Sequence, residues 1–237
     1  MKKMVTLSLI LLATLCTTSL MAEEKLNTPP EGFTALFNGK DLENWRGLVG
    51  NGNPYTLQEM SEEDRSKAQA EANELMSAHW GVQDGVLVFD GKGKSICSAK
   101  DFGDFELYVD WKIEPKGDSG IYVRSTPQIQ IWDTEYPEYF KHGAEKGSGS
   151  LWNNKDNERF PLAKADNPVG EWNTFHIKMV GEKVTIWLNG KLVTDNVILE
   201  NYWKRDAGIP VIEKGAIELQ NHGNTLYFRN IYVKELN

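Results

Sequence analysis

The chain has 237 residues and a formal net charge of −8, with 26 Lys and Arg spread along it rather than gathered in blocks. That balance excludes nucleic acid or an anionic membrane surface as the partner. Eight Trp and eight Tyr offer flat faces that pack against sugar C–H groups, but in β proteins most such rings simply fill the core.

Lys2 and Lys3 precede an apolar run from Met4 to Leu15, then a small-polar stretch ending at Ala22 before Glu23 and Glu24. This is the layout of a secretory signal peptide over 1–22, and the run is too short to span a bilayer. A buried N-terminal helix would need a polar face that the run lacks. Leu15 before Cys16 disfavours lipoprotein processing, so the expected location is periplasmic or secreted, with no transmembrane anchor after processing. Loss of Lys2 and Lys3 takes the charge from −8 to −10. It leaves Cys97 as the sole cysteine, so no internal disulfide staples the core. A mature chain of roughly two hundred residues, 23–237, is long enough to hold as one large β domain.

Residues 23–32 read as an extended lead-in, and Phe33 to Phe37 as a strand closed by the Asn38-Gly39 turn. Asp41 to Trp45 follows as a turn with an aromatic anchor. One inserted helix is expected over 56–78: Ser61, Glu62, Glu63 and Asp64 form a capped start, and Ala68, Ala72, Leu75 and Met76 recur at helical spacing. From His79 onward the pattern alternates. A hairpin turns at Asp84-Gly85, and strands are expected at Phe105 to Ile113, Ile121 to Arg124 and Ile129 to Ile131. Further strands are expected at Thr174 to Val180, Val184 to Leu188 (before the Asn189-Gly190 turn), Ala216 to Gln220 and Tyr227 to Glu235. Short strands at regular spacing indicate an all-β sandwich or jelly roll carrying one inserted helix. The long polar stretch from Asp133 to Asn173 is of the kind that is usually functional or flexible.

Alternation also sorts faces. With Ile121 and Val123 inward, Tyr122 and Arg124 point outward together. Gln128 and Gln130 do so when Ile129 and Ile131 are buried. Glu218, Gln220 and His222 do so when Ile217 and Leu219 are buried. Glu106, Tyr108 and Asp110 share the outward face of their strand. A face of Tyr, Arg, Gln, Asp, Glu and His suits a binding groove better than a face meant only for water. The plain alternatives stand beside this: Arg124 pairing with Glu218 or Asp110 across strands, His222 as a turn residue, Gln130 and Gln220 as face-filling amides. Among the tryptophans, Trp187 and Trp203 read as packing residues, whereas the loop position of Trp152 favours exposure. No Gly-x-Ser-x-Gly elbow, His-Glu-x-x-His helix, phosphate loop or Cys-x-x-Cys pair is present. His79, His142, His176 and His222 are too far apart to suggest a His-rich metal site. Asp118, Asp133 and Glu135 give a weak calcium signal.

The segment from Gly32 to Leu42 resembles the opening motif of the 3-keto-disaccharide hydrolase domain family, formerly a domain of unknown function. The resemblance continues through Asp104-Phe105-Glu106-Leu107, Gly117 to Arg124, Gln128 to Ile131, Gly170 to Thr174, Val184 to Gly190, Ile217 to Gly223 and Phe228 to Ile231. It spans nearly all the mature chain, but fits less well at 56–78 and 136–165. It implies a concanavalin A/laminin-G-like jelly-roll β-sandwich and cleavage of glycosides already oxidised to a ketone at C3, in exported bacterial pathways. Its motifs fall on Ser119, Tyr122, Arg124, Gln130, Glu218, Gln220, His222, Arg229 and Asn230.

A C3 ketone acidifies the C2 proton, so a base can form an enolate that expels the C1 oxygen, and water added back completes a net hydrolysis. This needs a base near neutral pKa, a donor at the ketone oxygen and an acid for the leaving group. The expectation places Arg124, assisted by Tyr122, at the enolate, His222 or Glu218 as base, and Asp133 or Tyr122 as acid. Gln130, Gln220, Asp110, Ser119, Trp152 and Arg229 would bind the sugar. No cofactor is expected, although a divalent ion could replace Arg124 as the electrophile. An ordinary glycosidase would instead use a carboxyl pair drawn from Asp110, Asp133 and Glu218. A non-catalytic carbohydrate-binding module and a surface interaction domain complete the alternatives.

Overall fold

The computed structural model describes residues 26–236, so the expected signal segment over 1–22, with Cys16, lies outside the described residues. Strands β1 (Thr34–Ala35) and β2 (Trp45–Gly47) lead into helices α1 (Pro54–Glu59) and α2 (Glu62–His79). Then come β3 (Trp80–Gln83), β4 (Val86–Phe89), β5 (Ile96–Ser98), β6 (Phe105–Ile113), β7 (Asp118–Val123) and β8 (Thr126–Trp132). After a long connection follow β9 (Asn173–Val180), β10 (Lys183–Leu188), β11 (Lys191–Ile198), β12 (Glu218–Leu219) and β13 (Leu226–Glu235).

The strands build two antiparallel sheets, which makes the fold the all-β jelly-roll sandwich that the alternation implies. The larger runs β11-β10-β9-β6-β13-β4-β3, with β1 beside β13; the smaller runs β2-β5-β12-β7-β8. Phe105, Leu107, Val109 and Trp111 of β6 and Phe175 and Ile177 of β9 are buried with Ile121, Ile129, Ile131 and Leu219 of the smaller sheet. This shared interior holds the domain with its single described cysteine, Cys97, unpaired. The expected hairpin at Asp84-Gly85 forms, with both residues at positive φ (49° and 76°), as a two-residue turn between twisted strands requires.

Three strands were not anticipated from sequence: β2, β5 and β11. The inserted helix is also two helices, broken at Met60 where the backbone is extended. Ser61 caps α2 as expected, accepting from the Asp64 amide at 3.1 Å. The reason α2 exists is visible at β2, an edge strand. Gln69 Nε2 donates to the Gly47 carbonyl (2.9 Å) and Asn73 Oδ1 accepts from the Gly47 amide (3.0 Å). One turn apart on α2, these two side chains complete hydrogen bonds that an exposed edge would leave open. A Cβ on Gly47 would collide with the Ala72 carbonyl, so only glycine permits this approach.

Candidate active site

The outward face of the smaller sheet forms the floor of a groove of about 680 Å³. Register places its residues in transverse rows. Glu218 lies opposite Tyr122 on one side and Cys97 on the other, and Tyr122 lies opposite Gln128. In the next row Gly120 faces Gln130 and bonds to Gln220, whose amide donates to the Gly120 carbonyl at 2.9 Å. The third row holds Asp118 opposite Trp132, with His222 Nδ1 3.5 Å from Asp118 Oδ2.

A chain of directed hydrogen bonds crosses this floor. The Tyr122 hydroxyl donates to Gln128 Oε1 (3.0 Å), Gln128 Nε2 donates to Gln130 Oε1 (2.8 Å) and to Gln220 Oε1 (2.7 Å), and Gln130 Nε2 donates to Asp118 Oδ1 (2.7 Å). Each amide is thereby oriented, with the donors running toward Asp118. Gly120 makes the arrangement possible. A Cβ there would stand 2.5 Å from Gln128 Cγ and 2.6 Å from its Nε2. Gly120→Ala is therefore expected to displace Gln128, cost about 1–3 kcal/mol of stability and cut turnover at least tenfold. Urea unfolding and steady-state kinetics on the same preparation would check this; unchanged values in both would show that Gln128 is not held there.

Electrostatics single out Glu218. It is 6% exposed, and burial pushes its carboxyl up to about 7, against an opposing hydrogen bond from Ser95. Burial raises Asp118 as well, opposed by His222 and by the Gln130 amide. Burial likewise raises Tyr122, with the Glu218 charge adding to it, so the hydroxyl keeps its proton and serves only as a neutral hydrogen-bonding group.

Aromatic walls rise from the long connections. Trp152 meets Trp132 edge to face (centroids 5.7 Å) and His142 at 5.6 Å. Trp203, also in the lining, anchors its Nε1–H on the Ser125 carbonyl (3.1 Å) and packs against Tyr202. Glu200, Arg205 and Asn153 tie the two walls together. Glu200 accepts from the amides of Lys155, Asp156 and Asn157 at 2.7–2.8 Å, Arg205 donates to the Asn153 carbonyl, and Asn153 Oδ1 accepts from the Gln128 amide (2.8 Å).

Of the residues expected from sequence, Tyr122, Gln130, Glu218, Gln220, His222 and Trp152 line the groove together. Arg124 does not. It is 2% exposed and donates to the Gly103 carbonyl (2.8 Å), the Gly181 carbonyl (2.7 Å) and Asp104 (2.5 Å). Positive φ at Arg124 and Ser125 (52° and 60°) ends β7 and turns the side chain away from the face that Tyr122 occupies. Asp133 lies outside the groove lining, its carboxylate accepting the Lys116 and Glu135 amides (2.8 and 2.9 Å) as a loop cap. Asp110 and Arg229 sit on the outer face of the other sheet, paired at 3.3 Å, with Thr174 also bonded to Asp110. Glu106 and Tyr108 share that sheet and not the groove. Ser119 is fully buried and donates to the Gln220 carbonyl (2.7 Å).

Sequence reasoning missed Lys94, Ser95, Tyr139, His142 and Tyr202 as lining residues, and took Trp203 for packing. The signal for Tyr139 and His142 was the long polar stretch itself. Among the described residues, no group of three or more His, Cys, Asp or Glu side chains is gathered where it could hold a metal ion.

An amide-lined floor, a buried carboxyl held near neutrality and tryptophans in the walls suit a carbohydrate-active enzyme on a jelly-roll frame. Comparison with known proteins gives the same class. The curated 3-keto-disaccharide hydrolase of Bacteroides thetaiotaomicron is 23% identical over 263 residues, covering 90% of this chain and 81% of the relative. Two solved structures from Parabacteroides distasonis, both provisionally designated glycosyl hydrolases, superpose with TM-scores of 0.65 and 0.61 at 23% identity. They cover 90% and 96% of this chain and all of theirs. Residues 32–234 match the family model described as the 3-keto-alpha-glucoside-1,2-lyase-like domain, and the chain belongs to that family. Its activity is of the glycosyl-hydrolase type.

Proposed function

We propose that the groove cleaves 3-keto-glycosides outside the cytoplasm by elimination followed by hydration. The single observation carrying this reading is Glu218, a groove-floor carboxyl whose burial brings it to about 7, where a general base for C2–H removal works best. Glu218 takes the C2 proton, the C1=C2 double bond forms, and the C1–O bond to the leaving group breaks. Gln220 Nε2 donates to the oxygen at C3 as it gains charge, its Oε1 being held by Gln128 Nε2, while Tyr122 keeps Gln128 in place. His222, held by Asp118, protonates the departing oxygen. Water then adds its oxygen at C1 and a proton returns to C2, so the sum is hydrolysis.

The family description, a lyase, and the relative's name, a hydrolase, are the two halves of this sequence. The aromatic walls suit the apolar faces of a pyranose ring. The apolar run from Met4 to Leu15 behind Lys2 and Lys3 is what supports a periplasmic or secreted site. Incubation with a 3-keto-glucoside and with its unoxidised parent tests the reading. Turnover confined to the keto sugar is expected. Equal cleavage of the parent would make the protein a classical glycosidase, and binding without product would make it a binding module.

A further inference from the structure

Behind Glu218 lies a small chamber of about 20 Å³, whose lining includes the Glu218, Cys97, Ser125, Arg46 and Gly52 residues. That is room for one water molecule, with several polar groups to hold it. Gly52, at positive φ (78°), lies against Glu218: a Cβ there would press on Leu48 at 3.2 Å and come into contact with Glu218 Oε2 at 3.5 Å. Beyond the chamber, between the helical insertion and the β2 edge, is a second cavity of about 720 Å³. Gln58, Glu62 and Arg65 on its lining are exposed, so its mouth opens to solvent. Arg46, Val49, Leu57 and Ser125 line both the chamber and this rear cavity, while Leu48, Ser125 and Glu218 line both the chamber and the groove. The chamber therefore shares walls with the groove on one side and with the rear cavity on the other.

We propose that this chamber is the water port of the site, a rear route by which solvent reaches Glu218 while a sugar fills the groove. The inference rests on the elimination–hydration reading above. A ring bound in the groove, against its aromatic lining, keeps bulk water out, which protects the enolate. The same closure would starve the second half-reaction, in which water must add at C1, the carbon next to the one Glu218 deprotonates. A water entering through the chamber arrives at the carboxyl that works at C2, the neighbour of C1. The helical insertion therefore has a role besides covering β2, because Leu57 of α1 walls the passage.

Leu57→Trp, which fills the passage, is tested on a 3-keto-glucoside by separating the enone from the hydrated 3-keto sugar. Substrate consumption within threefold of wild type is expected, with the enone-to-hydrate ratio raised at least tenfold. Leu57→Ala should leave the ratio unchanged. Val49→Met enters the same partition from the opposite wall and serves if Leu57→Trp does not fold. A wild-type ratio in the plugged variant would overturn the proposal, as would a crystal structure of the wild type with no ordered water bonded to Glu218 in the chamber. An inert wild type would instead overturn the elimination reading itself, so the two failures are distinct.

Discussion

Glu218→Gln folds normally and loses at least a hundredfold of its turnover on a 3-keto-glucoside, within the 10²–10⁴ range expected for removal of a general base. The amide preserves shape and the capacity to accept from Ser95, but it cannot take the C2 proton. In the wild type, log kcat/KM should rise with pH and level off near 7, following ionisation of the buried carboxyl; the variant should lack this limb. Stability moves the other way. Because the folded carboxyl holds its proton up to about 7 rather than to the ordinary 4.5, the folded state binds more protons between those values. Stability is therefore greatest below the lower value and falls as pH rises to 7, by an amount on the order of 3 kcal/mol if the whole shift is expressed. Gln removes that loss, so at pH 8 the inactive variant should be more stable than the wild type, while near pH 4 the two should converge. Urea midpoints at both pH values measure this. An active Glu218→Gln enzyme, or one with an unchanged pH limb, would remove Glu218 from the mechanism.

Arg124→Met carries the opposite signature, a loss of stability of about 2–4 kcal/mol with turnover per folded molecule retained. The guanidinium side chain is 3% exposed and its hydrogen bonds tie the end of β7 to Gly103, Asp104 and Gly181. Met fills much of the volume but leaves two carbonyls without their donor. Asp104 is 38% exposed and recovers water, which keeps the cost below that of stranding a fully buried carboxylate. The backbone permits no easy repair. Gly215 passes so close that a Cβ on it would stand 2.5 Å from the Arg124 carbonyl carbon. A variant of wild-type stability that has lost turnover would return Arg124 to the active site.

The fate of Arg124 shows where strand arithmetic stops. Alternation holds only while the backbone stays extended, and it assigned Tyr122, Gln130, Glu218 and Gln220 to one face because β7, β8 and the β12 segment are extended there. At Arg124 two successive residues at positive φ break the parity, and nothing in Val-Arg-Ser announces them. Asp110 failed for a different reason. Its outward direction was read correctly, but parity says which face of a sheet a residue takes and nothing about which of two sheets its strand joins. Only the pairing of β6 between β9 and β13 placed Asp110 on the far side of the sandwich. The tryptophans divide similarly: Trp152 lies in the groove lining as its loop position suggested, whereas Trp203 reaches the lining through a hydrogen bond to Ser125, seventy-eight residues away in sequence.

By itself, then, the amino-acid sequence determined the all-β class, the Asp84-Gly85 turn, the Ser61 cap and the face that carries the groove. Each of these is set by local periodicity or by residues a few positions apart. The tertiary structure alone decided what that face can do. A carboxylate becomes a base near neutrality only when strands, loop and helix together take it out of water. Glu218 is given that property by burial among Tyr122, Cys97 and Gly52, residues that meet it only in the fold, and the Ser95 hydrogen bond opposes it.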